Sequence, residues 1–309
     1  MALESPYASL LSAIPTERRE VDVLGSTTRY WVYGPADARL TVVVVHGYRG
    51  EHHGIEPVIA QLPGIRFIGP DLPGFGESTP LVDVPHSIEG YAAWLGGFVR
   101  ALGLGHPPVV LGHSFGSIVA SRAIAVDGLR TPALILLNPI AVSGLSGPKK
   151  VLTKATVAYY ELASRLPERV GSALLDNRLI VRLMSVSLAK TKDRVLRAWI
   201  HDEHQRFFSR FASRDSVVEG FRASTSTDVG AFAAGIDVPT LLIAGRLDDI
   251  TPVVAQYDLE AAMPDATLIV IDDVGHLIHY ERPQLAAAEI RAFLDRVLPE
   301  GTAGASAAE

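Results

Sequence analysis

The stretch "VVLGHSFGSIVA", residues 109–120, changes character twice over a short length of chain. Its first residues, 109–111, form an apolar run that predicts the end of a buried strand. Its last residues, 118–120, predict the start of a buried helix. Glycine and serine crowd the turn between the two, and Ser114 lies at its centre. So tight a turn either contains this serine by accident or holds its hydroxyl out as a nucleophile.

On both sides of this stretch the sequence alternates between strand and helix patterns. The run "TVVVVHG" is β-branched throughout, which is typical of a parallel strand covered on both faces. A hairpin is predicted at residues 19–35, where polar turn residues separate two alternating segments. This alternation predicts an α/β fold with a doubly wound, mainly parallel sheet. The strand runs that support it are "TVVVVHG" (41–47), "PALILLNP" (132–139), "PTLLIAG" (239–245) and "ATLIVID" (266–272).

The alternation stops at about residue 141 and resumes near 231, and the sequence between reads as helices with no clear strand. We therefore expect a helical cap to be inserted between two strands, over the carboxyl ends where such sheets bind ligands. Small polar residues at the C-terminus predict a disordered tail. The expected units are a first core segment (1–140), the cap (141–230), a second core segment (231–298) and the tail (299–309).

Composition limits the classes of partner. The chain has 309 residues, 48% of them hydrophobic, and no cysteine, which excludes disulfides and thiol catalysis. A net charge of −6 argues against nucleic acid. No apolar run is long enough to span a membrane and no signal peptide is evident, so we expect a cytoplasmic protein. Residues 141–230 nevertheless hold 15 Lys and Arg against 9 Asp and Glu. The oligomeric state is left open.

A strand followed by Gly-x-Ser-x-Gly and a helix is the pattern of a nucleophile elbow, and Ser114 has this context. A serine hydroxyl needs a base to activate it, and the base needs a carboxylate to orient it. Asp248 follows one predicted strand and His276 follows the next, which places both at the sheet edge of Ser114. Asp249 and Asp273 are alternative acids.

At these residues the chain resembles the α/β-hydrolase superfamily over about residues 20–140 and 230–297. The resemblance rests on the elbow and on four further motifs: "VVHGYRG" (44–50), "DLPGFGES" (71–78), Gly245-x-x-Asp248 and Gly275-His276. It implies that Ser114 is the nucleophile, His276 the base and Asp248 the orienting acid. It also implies an oxyanion hole formed by the backbone N–H groups of Tyr48 and Phe115. Some members carry the acid at the position of Asn138, but an amide cannot stabilise an imidazolium.

This resemblance predicts a serine hydrolase that cleaves a carboxylic ester of a small-molecule acyl substrate through an acyl-enzyme. Dehalogenase and epoxide hydrolase activities are excluded, because they require a carboxylate nucleophile. Carbon–carbon hydrolases of ring-cleavage products share the triad, although many resemble one another in a tryptophan after the histidine, where this chain has Leu277. An acyltransferase and a receptor-like binding protein are further alternatives.

Aromatic residues cluster on the predicted cap helices, where they either line an apolar acyl pocket or pack the helices together. We predict that they bind substrate: Tyr159, Tyr160, Phe207, Phe208 and Phe211. The pairs His52–His53 and His201/His204 offer no convincing third ligand in the sequence, so we expect neither a metal site nor a cofactor.

Overall fold

The structure, a computed structural model, describes residues 3–143 and 150–299, and only the backbone of residues 150–154. Eight strands form one sheet in the order β1-β2-β4-β3-β5-β6-β7-β8. The hairpin β1–β2 is antiparallel, as is the pair β2–β4, and every other pair is parallel. This arrangement confirms the predicted fold class. The strands are β1 Thr16–Val23, β2 Ser26–Tyr33, β3 Thr41–Val45, β4 Arg66–Pro70, β5 Val109–His113, β6 Leu134–Leu137, β7 Thr240–Gly245 and β8 Ala266–Ile271.

Helices cover both faces of the sheet, which explains why its central strands are apolar throughout. In β3, Val43 and Val45 face one core with helices at 88–101 and 115–125, whereas Val42 and Val44 face a second core with helices at 56–59 and 283–297. None of the described helices combines the length and apolarity needed to cross a membrane. The core helices are α1 Ala8–Leu11, α2 Glu56–Ile59, α3 Ile88–Ala101, α4 Phe115–Ala125, α10 Val253–Ala262, α11 Ile278–Glu281 and α12 Pro283–Val297.

In the described part of the segment between β6 and β7, the structure has five α-helices and no named strand. Polar N-caps start three of them, because Asn177, Asp193 and Ser213 each accept backbone N–H bonds from the first turn. The division into core and cap stays a prediction, and residues 300–309 of the expected tail lie outside the described residues. The inserted helices are α5 Lys150–Arg165, α6 Glu168–Leu175, α7 Arg178–Leu188, α8 Arg194–Phe207 and α9 Arg214–Ser226.

The turn from β5 into α4 is built by close backbone packing. Ser114 has φ 51° and ψ −118°, a strained conformation for a residue with a side chain. A Cβ on Gly116 would lie 2.0 Å from the carbonyl oxygen of Val45, so α4 begins in direct contact with β3. A Cβ on Gly112 would lie 2.7 Å from the carbonyl oxygen of Gly116. The two glycines therefore allow the helix to leave the strand sharply, with the serine at the apex.

We expect Gly116→Ala to destabilise the fold, because its new methyl group overlaps the Val45 carbonyl and a rigid strand cannot yield. Overpacking of this kind costs about 1–3 kcal/mol or more. Urea titration measures the loss as a lower unfolding midpoint. Gly105→Ala is the matched control, since a Cβ there meets nothing within 4 Å and should leave the midpoint nearly unchanged. Equal midpoints for the two variants would contradict the packing described for the elbow.

Candidate active site

The carboxyl ends of neighbouring strands bring together the three residues predicted as nucleophile, base and acid. Ser114 follows β5, Asp248 follows β7 and His276 follows β8. His276 Nε2 lies 2.8 Å from Ser114 Oγ, and His276 Nδ1 lies 2.7 Å from Asp248 Oδ2. A neutral imidazole that donates from Nδ1 to the carboxylate can accept the serine proton at Nε2. Both Asp248 and His276 are buried.

The carboxylate of Asp248 is held from two sides. Its Oδ1 accepts the backbone N–H of Ile250 at 2.8 Å, while its Oδ2 faces the histidine. The alternative acids are both exposed: Asp249 accepts from Lys190 Nζ at 2.6 Å, and Asp273 occupies a turn with φ 57°. Of the three candidate acids, the structure therefore brings Asp248 to His276.

Asn138 is a site residue whose contact the sequence did not reveal. It is fully buried at the end of β6, and its φ of 46° lies in the left-handed region. Its side-chain amide donates to Asp248 Oδ2 at 3.0 Å and to the carbonyl oxygen of Gly275 at 3.2 Å. It thus joins the acid to the loop that carries the histidine. The available signal was a polar residue directly after the apolar run "LILL".

The loop after β3 lies directly against the serine. A Cβ on Gly47 would lie 3.2 Å from Ser114 Cβ. Phe115 is the first residue of α4, so its N–H has no acceptor within the helix. Among the residues that the structure describes, no hydrogen-bond acceptor meets the N–H of Tyr48. The segments flanking Ser114 therefore carry both backbone donors of the expected oxyanion hole, whose role stays a prediction.

Side chains from this loop also reach the inserted helices. The Tyr48 hydroxyl donates to the carbonyl oxygen of Val217 at 2.8 Å. The buried Arg49 guanidinium donates from Nε to the Phe208 carbonyl and from Nη2 to the Leu175 carbonyl, both at 2.8 Å. Two consecutive residues thereby fix the position of the loop relative to α6, α8 and α9.

A cavity of about 540 Å³ opens beside Ser114 between the sheet edge and the inserted helices. Apolar side chains dominate its wall, including Ile140, Leu183, Met184, Leu188, Phe221 and Leu277. Such a wall suits an apolar acyl group held by a few polar contacts.

Only part of the predicted aromatic cluster reaches this cavity. Phe207 and Phe208 line it, and Phe207 also borders a second pocket of about 230 Å³. Tyr160 instead stacks on Phe221 with ring centroids 4.0 Å apart, and the Tyr159 hydroxyl donates to the Leu174 carbonyl. Phe211 pairs through its backbone with Phe75. Substrate binding by these five residues stays a prediction, which the geometry favours for Phe207 and Phe208.

Several further histidines surround the site as neutral rings. Burial, with a smaller contribution from the nearby His276, lowers the pKa of His113 to about 3. Burial likewise lowers the pKa of His204 to about 3 and holds that of His279 well below its usual value. These rings therefore contribute shape and dipoles to the site, but no positive charge near neutral pH.

Glu51, His52 and His53 form a group whose potential ligand atoms lie within 4.8 Å of one another. The sequence had suggested the two histidines but not the glutamate. Each member has a protein partner: His52 Nδ1 bonds to Asp71 Oδ1 at 2.8 Å, and His53 Nδ1 bonds to Glu51. Arg210 Nη1 lies 3.8 Å from the same glutamate, a charge that opposes cation binding. Each of the three side chains thus has a protein partner, and we assign the group no metal.

The buried His204 predicts a specific dependence of stability on pH. Its folded pKa of about 3 lies below the unfolded value of about 6.5, so between these values only the unfolded chain binds the proton. The stability that this ring contributes is present above about pH 6.5 and is lost as the pH falls. In urea titrations at several pH values, the parent should lose up to about 1.4 kcal/mol more per pH unit than His204→Gln. Parallel profiles would contradict the buried neutral ring.

Comparison with known proteins agrees with the fold described above. A model of the α/β hydrolase fold family matches residues 41–283. A 2-hydroxy-6-oxononadienedioate/2-hydroxy-6-oxononatrienedioate hydrolase from Pseudomonas putida is 26% identical over 253 residues, 79% of this chain and 84% of that protein. A pimeloyl-(acyl-carrier protein) methyl ester esterase from Aeromonas hydrophila is 25% identical over 260 residues, 82% and 94%.

Among solved structures, a thermophilic esterase from Thermogutta terrifontis superposes with a TM-score of 0.70 at 24% identity. The match covers 91% of this chain and 99% of the esterase. At this identity the likeness concerns the fold alone. The family model, by contrast, includes β3, β5 and the loops that carry Asp248 and His276. Because the family model covers well over half of the chain, the chain belongs to the α/β-hydrolase family.

Proposed function

We propose that the protein is a serine hydrolase that cleaves carboxylic esters, with Ser114 as nucleophile, His276 as general base and acid, and Asp248 as orienting carboxylate. The observation that carries this proposal is the continuous hydrogen-bond chain from Ser114 Oγ through both ring nitrogens of His276 to Asp248. The serine lies on an elbow that exposes its oxygen beside an apolar cavity. This combination matches the requirements of acyl transfer through a covalent intermediate.

The reaction follows from these positions. Ser114 Oγ attacks the ester carbonyl carbon while its proton moves to His276 Nε2. The carbonyl oxygen becomes an oxyanion, which the N–H groups of Tyr48 and Phe115 stabilise. His276 then gives the proton to the departing alkoxide, and the alcohol leaves an acyl-enzyme on the serine. Water, deprotonated by the same nitrogen, attacks this ester and releases the carboxylic acid with the free serine.

Asp248 stabilises the imidazolium that forms during each of these steps. It can do so because its charge is buried beside the ring, where a carboxylate acts more strongly than in water. The Ile250 N–H and the Asn138 amide satisfy its remaining lone pairs and fix its orientation. We infer that Asn138 is a positioning residue, because it touches the acid and not the reacting atoms.

Carbon–carbon hydrolysis is the second candidate, and the relative from Pseudomonas putida supports it. By the family resemblance, carbon–carbon hydrolases share the arrangement of serine, aspartate and histidine. An ester substrate is favoured by the resemblance to esterase sequences and by Leu277, which lines the cavity directly after the histidine. Turnover of simple p-nitrophenyl esters distinguishes the hydrolase from a receptor-like binding protein, and added alcohol or thiol acceptors would reveal acyl transfer.

Replacing the proposed catalytic residues should remove activity and leave the fold intact. Ser114→Ala should reduce turnover of p-nitrophenyl butyrate to background, because no acyl-enzyme can form. Asp248→Asn should lower kcat by about 10⁴-fold, the size of the corresponding change in a serine protease. Asp273→Asn is the matched control, since this exposed acid touches neither the histidine nor the serine. Near-parental activity of Asp248→Asn, with a normal unfolding temperature, would show that another group orients the base.

Phe207→Ala should shift the acyl preference towards longer chains, because this ring stands between the cavity and the second pocket. The readout is kcat/KM for p-nitrophenyl esters of increasing acyl length. Phe211→Ala serves as the control, because it removes a ring of similar size that does not line the cavity. If both variants lost activity equally at every chain length, Phe207 would have no role in specificity.

A further inference from the structure

Helix α7 exposes apolar side chains where a packed helix would bury them. Only Val181 and Ser185 are buried in this helix. Leu179, Leu183 and Val186 are each more than half exposed. Their spacing of four and three residues places them on one stripe along the helix, the arrangement that normally faces a core. Exposed apolar groups in such a row indicate an interaction surface.

This stripe continues to the mouth of the active-site cavity. Leu183 lines the cavity although it is mostly exposed, so it lies at the opening. Ile250, in the loop after β7, also lines the cavity and is 42% exposed. Lys190 links the end of α7 to the loop after β7, because its Nζ donates to the Ser187 carbonyl and to Asp249. We define the mouth patch as Leu179, Leu183, Val186 and Ile250.

Two arginines flank the stripe, and the acidic Asp249 beside Ile250 is paired with Lys190 Nζ. Arg178 and Arg182 each precede a leucine of the stripe, both are exposed, and α7 contains no acidic residue. A helix with leucines and arginines side by side at the surface has the composition of helices that lie in anionic lipid interfaces. Basic residues next to such a surface are attracted by its negative potential.

We propose that the mouth patch docks on an anionic lipid–water surface, so that ester held in that surface enters the cavity from the lipid side. The location of the patch decides between the possible occupants. A second copy of the chain seated there would cover the opening lined by Leu183 and Ile250, whereas a lipid surface would supply substrate to it. This inference rests on the proposed ester hydrolysis, and it specifies that the ester is held in a lipid–water surface.

Vesicle binding tests the docking directly. The parent protein should sediment with vesicles of phosphatidylglycerol and phosphatidylcholine, and at least tenfold less with phosphatidylcholine alone. Leu179→Ser/Val186→Ser should weaken binding to the anionic vesicles at least tenfold, because both residues lie in the patch but outside the cavity wall. Val82→Ser is the matched control, since this exposed valine packs beside the β1–β2 turn. Absence of vesicle binding by the parent would overturn the proposal.

Activity measurements connect the patch to turnover. With p-nitrophenyl acetate in solution, the double variant should match the parent. With a long-chain ester above its solubility limit, the parent should gain rate and the double variant should lose that gain. A parental dimer that dissociates in the double variant, measured by sedimentation velocity, would overturn lipid docking and assign the patch to a second copy. Failure of the parent on every soluble ester would overturn the proposed function instead, and vesicle binding would still report on the patch.

Discussion

The contact between Gly116 and the Val45 carbonyl is the constraint on which the rest of the site depends. Because α4 begins against β3, the chain must turn sharply after β5, and Ser114 takes a strained backbone conformation at the apex. The same contact places the loop after β3 beside the serine, where a Cβ on Gly47 would lie 3.2 Å from Ser114 Cβ. One close approach of backbone to backbone thus sets both the exposure of the hydroxyl and the position of the loop beside it.

The polar network that extends from this elbow is buried, and a buried network is stable only when its members are paired. Asp248 meets this condition through His276, Asn138 and the backbone of the following turn. The neighbouring His113 and His279 stay neutral because of burial, so they do not compete with His276 for the carboxylate charge. The site therefore directs a single negative charge at a single imidazole.

Much of this arrangement could be predicted from local patterns. Apolar β-branched runs such as residues 41–47 identified the parallel strands, and the elbow glycines identified the serine. The chain order of Asp248 and His276 placed both at the correct edge, because parallel strands end on the same side of a sheet. The helical character of the insertion was also evident, because its sequence has helical spacing and capping residues.

The contacts between distant segments could not be predicted, because periodicity reports which face of an element is apolar and not what that face meets. Tyr160 is an aromatic residue of the kind that lines apolar pockets, but its ring stacks on Phe221, which itself lines the cavity. Nothing in the sequence indicates that Arg49 is buried, since its partners are the carbonyl oxygens of Leu175 and Phe208, which any residue could supply. The exposed stripe of α7 has the same periodicity as a buried one.

The central claim is that Ser114 forms a covalent bond during turnover, and active-site labelling tests it most directly. Incubation with an alkyl fluorophosphonate, followed by intact mass spectrometry and peptide mapping, reports both the stoichiometry and the position of attack. The account predicts one phosphonyl group per chain, located on Ser114, with loss of esterase activity in proportion to labelling and much slower labelling of His276→Ala. Labelling at another residue, or full activity in a stoichiometrically labelled protein, would contradict it.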